Sequence, residues 1–384
     1  MRVLFTTTPG CGHLFPMVPL AWALRCAGHQ VLVAAPKPIA RYVRAAGLEH
    51  VPVGGEANPL DLWQQESGPA GDHAFSGEPW AALAERTVEE TVDLVRRWDP
   101  QLVISEHSEF SGPIAAALHG VPSVSHHWGL HLSDPLAERL FSGDTGERLR
   151  LLRERFGLIE EDVAADITID LCPASLVCFD NTGWLPMRHI PYGGTGIPQS
   201  WLWEPRTRPR VCVSMGTVPI AAGVDGLREV VRGVAGLDVE VVLTGAGSRN
   251  ATLTDLPGNV RAAGWLPHDQ VFPTCDAVIH HGGSGTAMNS LLTGLPQLVL
   301  PQMCDQFENA ERLVAAGAAR TVAFADRSPD AIAQELRLLL ADPTHRQCAL
   351  RIRSEIESMP APGEVVLALE ACAESPLALA PVHS

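Results

Sequence analysis

The stretch Asp276-Ala277-Val278-Ile279-His280-His281-Gly282-Gly283-Ser284-Gly285-Thr286 is an apolar run that ends on two histidines and then places glycine at three of the next four positions. The run has the composition of a buried strand. The next segment, SGTAMNSLLTGLP (284–296), reads as a helix with Ser284 as its expected N-cap, Gly294 at its C-terminal cap and Pro296 shortly beyond. The glycines therefore fall on a strand-to-helix turn, at the carboxyl end of a parallel strand. Such a turn is either punctuation or a bare backbone left open for an anion, because orphan N–H groups and the positive end of the helix dipole meet there. His281 can donate a ring N–H to the same anion. Two other readings fail on residue type: a Walker A loop needs Gly-Lys-Ser/Thr, and a nucleophile elbow needs Gly-x-Ser-x-Gly, where this chain has Thr286 in the last place.

Outward from this turn, strands and helices alternate in two comparable halves. The second half runs RVCVSMGT (210–217), a helix over 223–234, VEVVLTG (239–245), NVRAAGW (259–265), DAVIHHG (276–282) and QLVLP (297–301). The first half runs RVLF (2–5), a helix from Leu14 to Ala27, QVLVAAP (30–36), a helix over 81–97, QLVISE (101–106), VPSVSHHW (121–128) and a helix over 134–155. This βαβ rhythm specifies an α/β protein with parallel sheets. GGTGIPQSWLWEPRTRP (193–209), rich in Gly and Pro, reads as the linker between the halves. The implied architecture is two doubly wound, Rossmann-like domains facing a cleft. The length of 384 residues agrees, since it exceeds what one hydrophobic core usually serves.

Composition narrows the function classes. The chain carries 28 basic and 44 acidic residues, a net charge of −16, which repels nucleic acid and anionic membrane surfaces. No membrane-length apolar run and no signal peptide are evident, so the expected location is the cytosol. Nine scattered cysteines without a CxxC pair indicate neither a disulfide framework nor a zinc knuckle. His127 and His131 are four apart but lack the HExxH pattern, and the chain contains no Asp-x-Asp, so no metal and no other cofactor is expected.

The first half holds a second glycine turn, PGCGHLFP (9–16), which is a poor dinucleotide fingerprint because Phe15 stands where the third glycine belongs. Its informative residue is His13. At a helix N-terminus the dipole disfavours imidazolium, leaving a neutral ring ready to accept a proton. A base that becomes charged needs an orienting carboxylate, and the strand end VISE (103–106) offers Glu106, with His107 beside it.

From Trp265 to Gln306, WLPHDQVFPTCDAVIHHGGSGTAMNSLLTGLPQLVLPQMCDQ strongly resembles the donor-sugar signature of the nucleotide-sugar-dependent glycosyltransferases of the GT-B fold. The opening RVLFTTTPGCGHLFPMVPLAWALRCAGHQVLVA and the SMGT and HHGGSGT segments look like the bacterial enzymes that attach deoxysugars to polyketide and enediyne natural products. The resemblance covers essentially the whole chain.

That resemblance implies an acceptor-binding domain over 1–198, a donor-binding domain over 199–362 and a C-terminal helix over 363–384 that crosses back to the first domain. It implies that His13 is the general base, that Glu106 or another group is its partner, and that Trp265 stacks on the nucleotide base unless it is a core residue. His281, Gly283, Ser284, Gly285 and Thr286 would cradle the diphosphate together with Gly216 and Thr217, and Asp305 and Gln306 would hold sugar hydroxyls. Trp63, Phe75, Trp80 and Trp128 would line an apolar acceptor pocket. In plant members a glutamate eight residues beyond the diphosphate histidine takes both ribose hydroxyls; here that position is Asn289, which points to a thymidine diphosphate donor. The expected activity is metal-independent, inverting transfer of a deoxysugar from a dTDP- or UDP-sugar to a hydrophobic natural-product acceptor, by a monomer or a homodimer. A nucleotide-sugar epimerase, or a non-catalytic activator subunit of another transferase, are the alternatives on the same fold.

Overall fold

The computed structural model describes residues 1–58, 76–217, 223–245 and 255–374. The chain divides into two compact units, one built from Met1–Cys172, Val177–Ile190 and the segment from Met359 onward, the other from Pro173–Leu176 and Pro191–Ser358.

The first unit is a seven-stranded parallel sheet of β1 (Arg2–Thr6), β2 (Gln30–Ala35), β3 (Glu49–Pro52), β4 (Leu102–Glu106), β5 (Ser123–His126), β6 (Ile167–Asp170) and β7 (Leu185–Pro186), in the order β3-β2-β1-β4-β5-β6-β7. The second is a six-stranded parallel sheet of β8 (Arg210–Ser214), β9 (Glu240–Thr244), β10 (Val260–Gly264), β11 (Ala277–His280), β12 (Gln297–Val299) and β13 (Ala319–Thr321), in the order β10-β9-β8-β11-β12-β13. Both are doubly wound, Rossmann-like folds. Because helices cover both faces of such sheets, the central strands are continuously apolar instead of alternating. Val3, Leu4, Phe5, Val103 and Ile104 in one sheet, and Val211, Cys212, Val278 and Ile279 in the other, are all essentially inaccessible to water. Each large side chain of this kind contributes roughly 1.5–3 kcal/mol through burial.

The strand order reverses between β1 and β4 in the first sheet and between β8 and β11 in the second. At such a reversal the helices leave toward opposite faces, opening a crevice at the carboxyl ends of the two inner strands. The turns carrying His13 and Glu106 lie at the first reversal, and those carrying Gly216 and His281 at the second.

Several elements depart from the sequence reading. The helix expected from Leu14 begins at Cys11 and passes through a tighter turn at Phe15–Met17 before Val18–Cys26, since Pro16 and Pro19 lack the N–H groups a regular helix needs. The helix expected over 134–155 is two, Asp134–Phe141 and Gly143–Glu154, separated where Gly143 adopts φ +56°. Segment 193–209 is built into the second unit: Trp201 and Leu202, in a short turn Ser200–Trp203, are buried against Cys212, Val242 and Phe272. The final helix, Pro362–Glu374, belongs to the first unit and ties Glu370 to His29 Nε2 at 2.9 Å. No described helix is long and apolar enough to cross a membrane.

Candidate active site

In the first unit, β1 delivers the chain into Thr7–Gly10, and Gly10 is the N-cap of Cys11–Leu14, which places His13 in the first helical turn. The imidazole lies against Gly10, where a Cβ would stand 2.6 Å from its Cδ2, so a glycine is needed there for the ring rather than for a ligand. Nδ1 of His13 is 3.1 Å from Oε1 of Glu106, the last residue of the neighbouring strand β4. Glu106 is the carboxylate that meets His13; nearby Glu109 instead accepts from Thr6 Oγ1 at 2.6 Å and from the backbone N–H groups of Ser111 and Gly112, capping helix Ser111–His119.

Glu106 is 1% exposed, and burial alone raises its pKa. His13 and the Ser108 backbone N–H outweigh burial and hold the carboxyl at about 2. Ser108 reaches it twice, through its N–H to Oε2 at 2.9 Å and its hydroxyl to Oε1 at 2.9 Å. The sequence reading missed Ser108, because a serine two residues past a strand end carries no signature of its own. Trp128 closes the other side, its ring edge-on to His13 at 4.7 Å and to His107 at 4.6 Å. His107 in turn stacks on His127 at 4.5 Å, and burial pulls His107 down to about 4. His131 is paired with Asp170 at 2.6 Å. Of the four proposed acceptor aromatics, Trp128 is brought to His13, Trp80 sits half-buried in the first turn of helix Glu78–Trp98, and Trp63 and Phe75 lie outside the described residues.

In the second unit, the two adjacent histidines have different tasks. His280, fully buried, accepts the Gly282 N–H at Nδ1 (3.0 Å) and faces the Gln297 side-chain oxygen with Nε2 (2.8 Å), so it pins the turn from inside. Gly282 is left at φ +95°, a conformation that favours glycine. His281 points the other way, into a space kept clear by two glycines from different strands. A Cβ at Gly283 would lie 2.4 Å from its Nε2, and one at Gly216, φ +79°, would lie 2.7 Å from its Cε1. Gly285 meets nothing within 4 Å, so its face of the turn is open. Burial pulls His281 down to about 4, against the pull of the Ser214 backbone, and the ring is neutral near pH 7.

Ser284 does not cap the following helix. Gly283 holds the N-cap position of Ser284–Leu292, with no side-chain cap, and Ser284 is the first helical residue. A side chain at the cap would enter the space of the His281 ring, which is the physical reason for the shift. Thr286 is buried in the first turn of that helix, and Thr217 directly follows Gly216. Trp265 is half-buried and donates its indole N–H to the Gly193 carbonyl at 2.9 Å. Asp305 is the N-cap of helix Gln306–Ala315 and accepts from Asn309 Nδ2 at 2.8 Å. Gln306 is buried, its Oε1 taken by the N–H groups of Gln302 and Met303. Asn289 faces His268, 3.2 Å between Nδ2 and Nδ1, a contact that spacing alone does not reveal.

Two neighbouring family domains match the chain: the erythromycin biosynthesis protein CIII-like N-terminal domain over residues 22–79 and 76–216, and the corresponding C-terminal domain over 228–372. The chain is similar to the L-demethylnoviosyl transferase of Streptomyces niveus, 38% identical over 97% of this chain and 98% of that one. Among solved structures it is similar to spinosyn rhamnosyltransferase SpnG complexed with thymidine diphosphate, at 30% identity and a TM-score of 0.81, covering 96% of this chain and 100% of that one. It is also similar to the glycosyltransferase SnogD from Streptomyces nogalater, at 34% identity and a TM-score of 0.80, covering 97% of this chain and 99% of that one.

Proposed function

The chain belongs to the erythromycin biosynthesis protein CIII-like family and is a glycosyltransferase of the GT-B fold, and from that premise we propose that it inverts the anomeric centre of a dTDP-deoxysugar on transfer to a hydrophobic natural-product aglycone. The observation that carries the reading is the pairing of His13 with Glu106. With Nδ1 committed to the carboxylate, Nε2 is the ring nitrogen left to take the acceptor proton as the nucleophile bonds to the anomeric carbon. The bond from that carbon to the diphosphate oxygen breaks on the opposite face, and the electron pair leaves with the diphosphate.

The negative charge released falls to the glycine turn. The N–H groups that begin helix Ser284–Leu292 and the ring of His281 answer it without a metal ion. Residues 281–286 thus take the diphosphate, Trp265 the base, and Asp305 with Gln306 the sugar.

A thymidine diphosphate donor is supported by Asn289. A carboxylate at this position would leave one oxygen unpaired against a 2′-deoxyribose, a penalty of ~1–3 kcal/mol for a buried group, whereas the amide avoids it. SpnG has been solved with thymidine diphosphate and with spinosyn aglycone, in keeping with a nucleotide and an apolar acceptor. The expected site of action is the cytosol.

The test is competitive binding followed by product analysis. dTDP should bind several-fold more tightly than UDP, Asn289→Glu should narrow or reverse that ratio, and transfer from an α-linked dTDP-sugar should give the β-glycoside by proton NMR. A wild-type preference for UDP defeats the donor assignment, and retention of configuration defeats the mechanism.

A further inference from the structure

Behind the glycine turn a buried polar chain joins three separate elements of the second unit. Ser214 Oγ, at the end of β8, is 3.1 Å from His268 Nε2, and His268 Nδ1 is 3.2 Å from Asn289 Nδ2 on helix Ser284–Leu292. Ser214 is 3% exposed and Asn289 9%. The His268 ring is stacked on Phe272, with centroids 4.3 Å apart and planes 10° from parallel, which sets the plane of the imidazole.

The chain has a direction. Burial, and to a lesser degree His281, holds His268 down at about 4, which keeps the imidazole neutral with one donor and one acceptor. Since an Asn289 N–H meets Nδ1, Nδ1 accepts, the ring proton is on Nε2, and Nε2 donates to the Ser214 hydroxyl. That fixes which end of the Asn289 carboxamide turns away from His268: the carbonyl Oδ1, an acceptor. A carboxylate at 289 would force the reverse order, with the proton on Nδ1 and the Ser214 hydroxyl donating to Nε2. Only a hydroxyl, able to give or to take, satisfies both directions.

We propose that His268 and Ser214 are positioning residues that orient the Asn289 carboxamide and thereby set discrimination between 2′-deoxyribose and ribose diphosphates. The inference rests on the placement of the nucleoside at Asn289 proposed above. Without Ser214 the ring loses the partner that fixes its tautomer, and His268 no longer selects the orientation in which the amide accepts from a hydroxyl over the one in which its N–H₂ donates to it.

The experiment compares dTDP, UDP and inorganic pyrophosphate binding in wild type, Ser214→Ala, Ser214→Thr and His268→Phe, the last keeping an aromatic ring on Phe272. Ser214→Ala and His268→Phe should each lower the dTDP-to-UDP affinity ratio by about five-fold, the scale of one misdirected hydrogen bond. Pyrophosphate affinity should stay constant, and Ser214→Thr should keep the wild-type ratio. A wild-type ratio above one that is unchanged in Ser214→Ala and His268→Phe overturns this inference and leaves the donor assignment standing. A wild-type preference for UDP defeats the donor assignment, yet a ratio that still moves in those variants and returns in Ser214→Thr sustains the positioning role. Equal losses for all three ligands mean a collapsed turn and overturn the inference.

Discussion

Nδ1 of His13 lies 3.1 Å from Oε1 of Glu106, and this contact joins the carboxyl ends of two adjacent strands, β1 and β4, at the point where the sheet order reverses. The histidine side chain is 23% exposed and the carboxylate 1%, so one end of the pair meets solvent and the other is held dry. In the proposed mechanism the buried carboxylate would orient the ring and stabilise the imidazolium that forms, leaving Nε2 for the proton transfer.

His13→Ala should therefore abolish transfer while leaving dTDP affinity nearly intact, and His281→Ala should weaken dTDP binding instead. Glu106→Gln should keep the geometry but lower kcat by about 10²–10⁴, the range for a lost general base or its orienting partner. Calorimetric titration beside steady-state kinetics separates the two; equal affinity losses in both histidine variants would defeat the division of roles.

Ser108→Ala removes the hydroxyl but not the backbone N–H from Glu106, so one of two anchoring groups survives. The expected result is a fall in kcat of about ten-fold, the value of one charge-assisted hydrogen bond, with unchanged dTDP affinity and recovery in Ser108→Thr. A Ser108→Ala enzyme with wild-type kcat would show that the backbone alone holds the carboxylate.

Much of this site was legible in the sequence, and the remainder was hidden for definable reasons. The inner strands announce themselves because burial on both faces makes them unbroken apolar runs, whereas β3 (EHVP) and β7 (LP) are short, partly exposed edge strands without such a run. The glycines at 282 and 283 mark the turn, but the separate tasks of His280 and His281 depend on which way each ring points. His268, Ser214 and Asn289 lie 54 and 21 residues apart along the chain, so only folding brings them together. Ser284 followed the usual statistics of capping residues, and the His281 ring overrode them.

Buried neutral histidines give the fold a pH signature. Burial lowers His107, His126, His268 and His281 to about 4 and His280 to about 3, all below the ordinary 6.5. Between those values the unfolded chain binds protons that the native one does not, so stability falls as pH drops from about 6.5 toward 4 and recovers as it rises. Thermal unfolding at about pH 7.5, 6 and 5 should show the decline. His126 is one of these five, so His126→Phe should remove its share and make the decline shallower. A melting temperature constant across this window would place these rings in water.

If helix-end N–H groups and His281 carry the diphosphate charge, transfer should survive exhaustive chelation. Activity lost in EDTA and restored by Mg²⁺ or Mn²⁺ would replace that assignment with a metal clamp.

The glycines of the turn supply a test that separates folding from binding. Ala at 283 places its Cβ 2.4 Å from His281 Nε2, and Ala at 216 is strained by φ +79° and lies 2.7 Å from Cε1, so both should lose stability and nucleotide affinity together. Gly285 differs, because its added methyl meets nothing within 4 Å and its backbone is already in the first turn of helix Ser284–Leu292. Alanine is the better helix former by up to about 1 kcal/mol, so Gly285→Ala should melt at the same temperature as wild type or higher. A diphosphate resting on that backbone needs the same open space that the methyl fills, and dTDP affinity should then fall at least about ten-fold, the loss of ~1.4 kcal/mol. A Gly285→Ala protein that is as stable as wild type and binds dTDP equally well would remove the diphosphate from this turn.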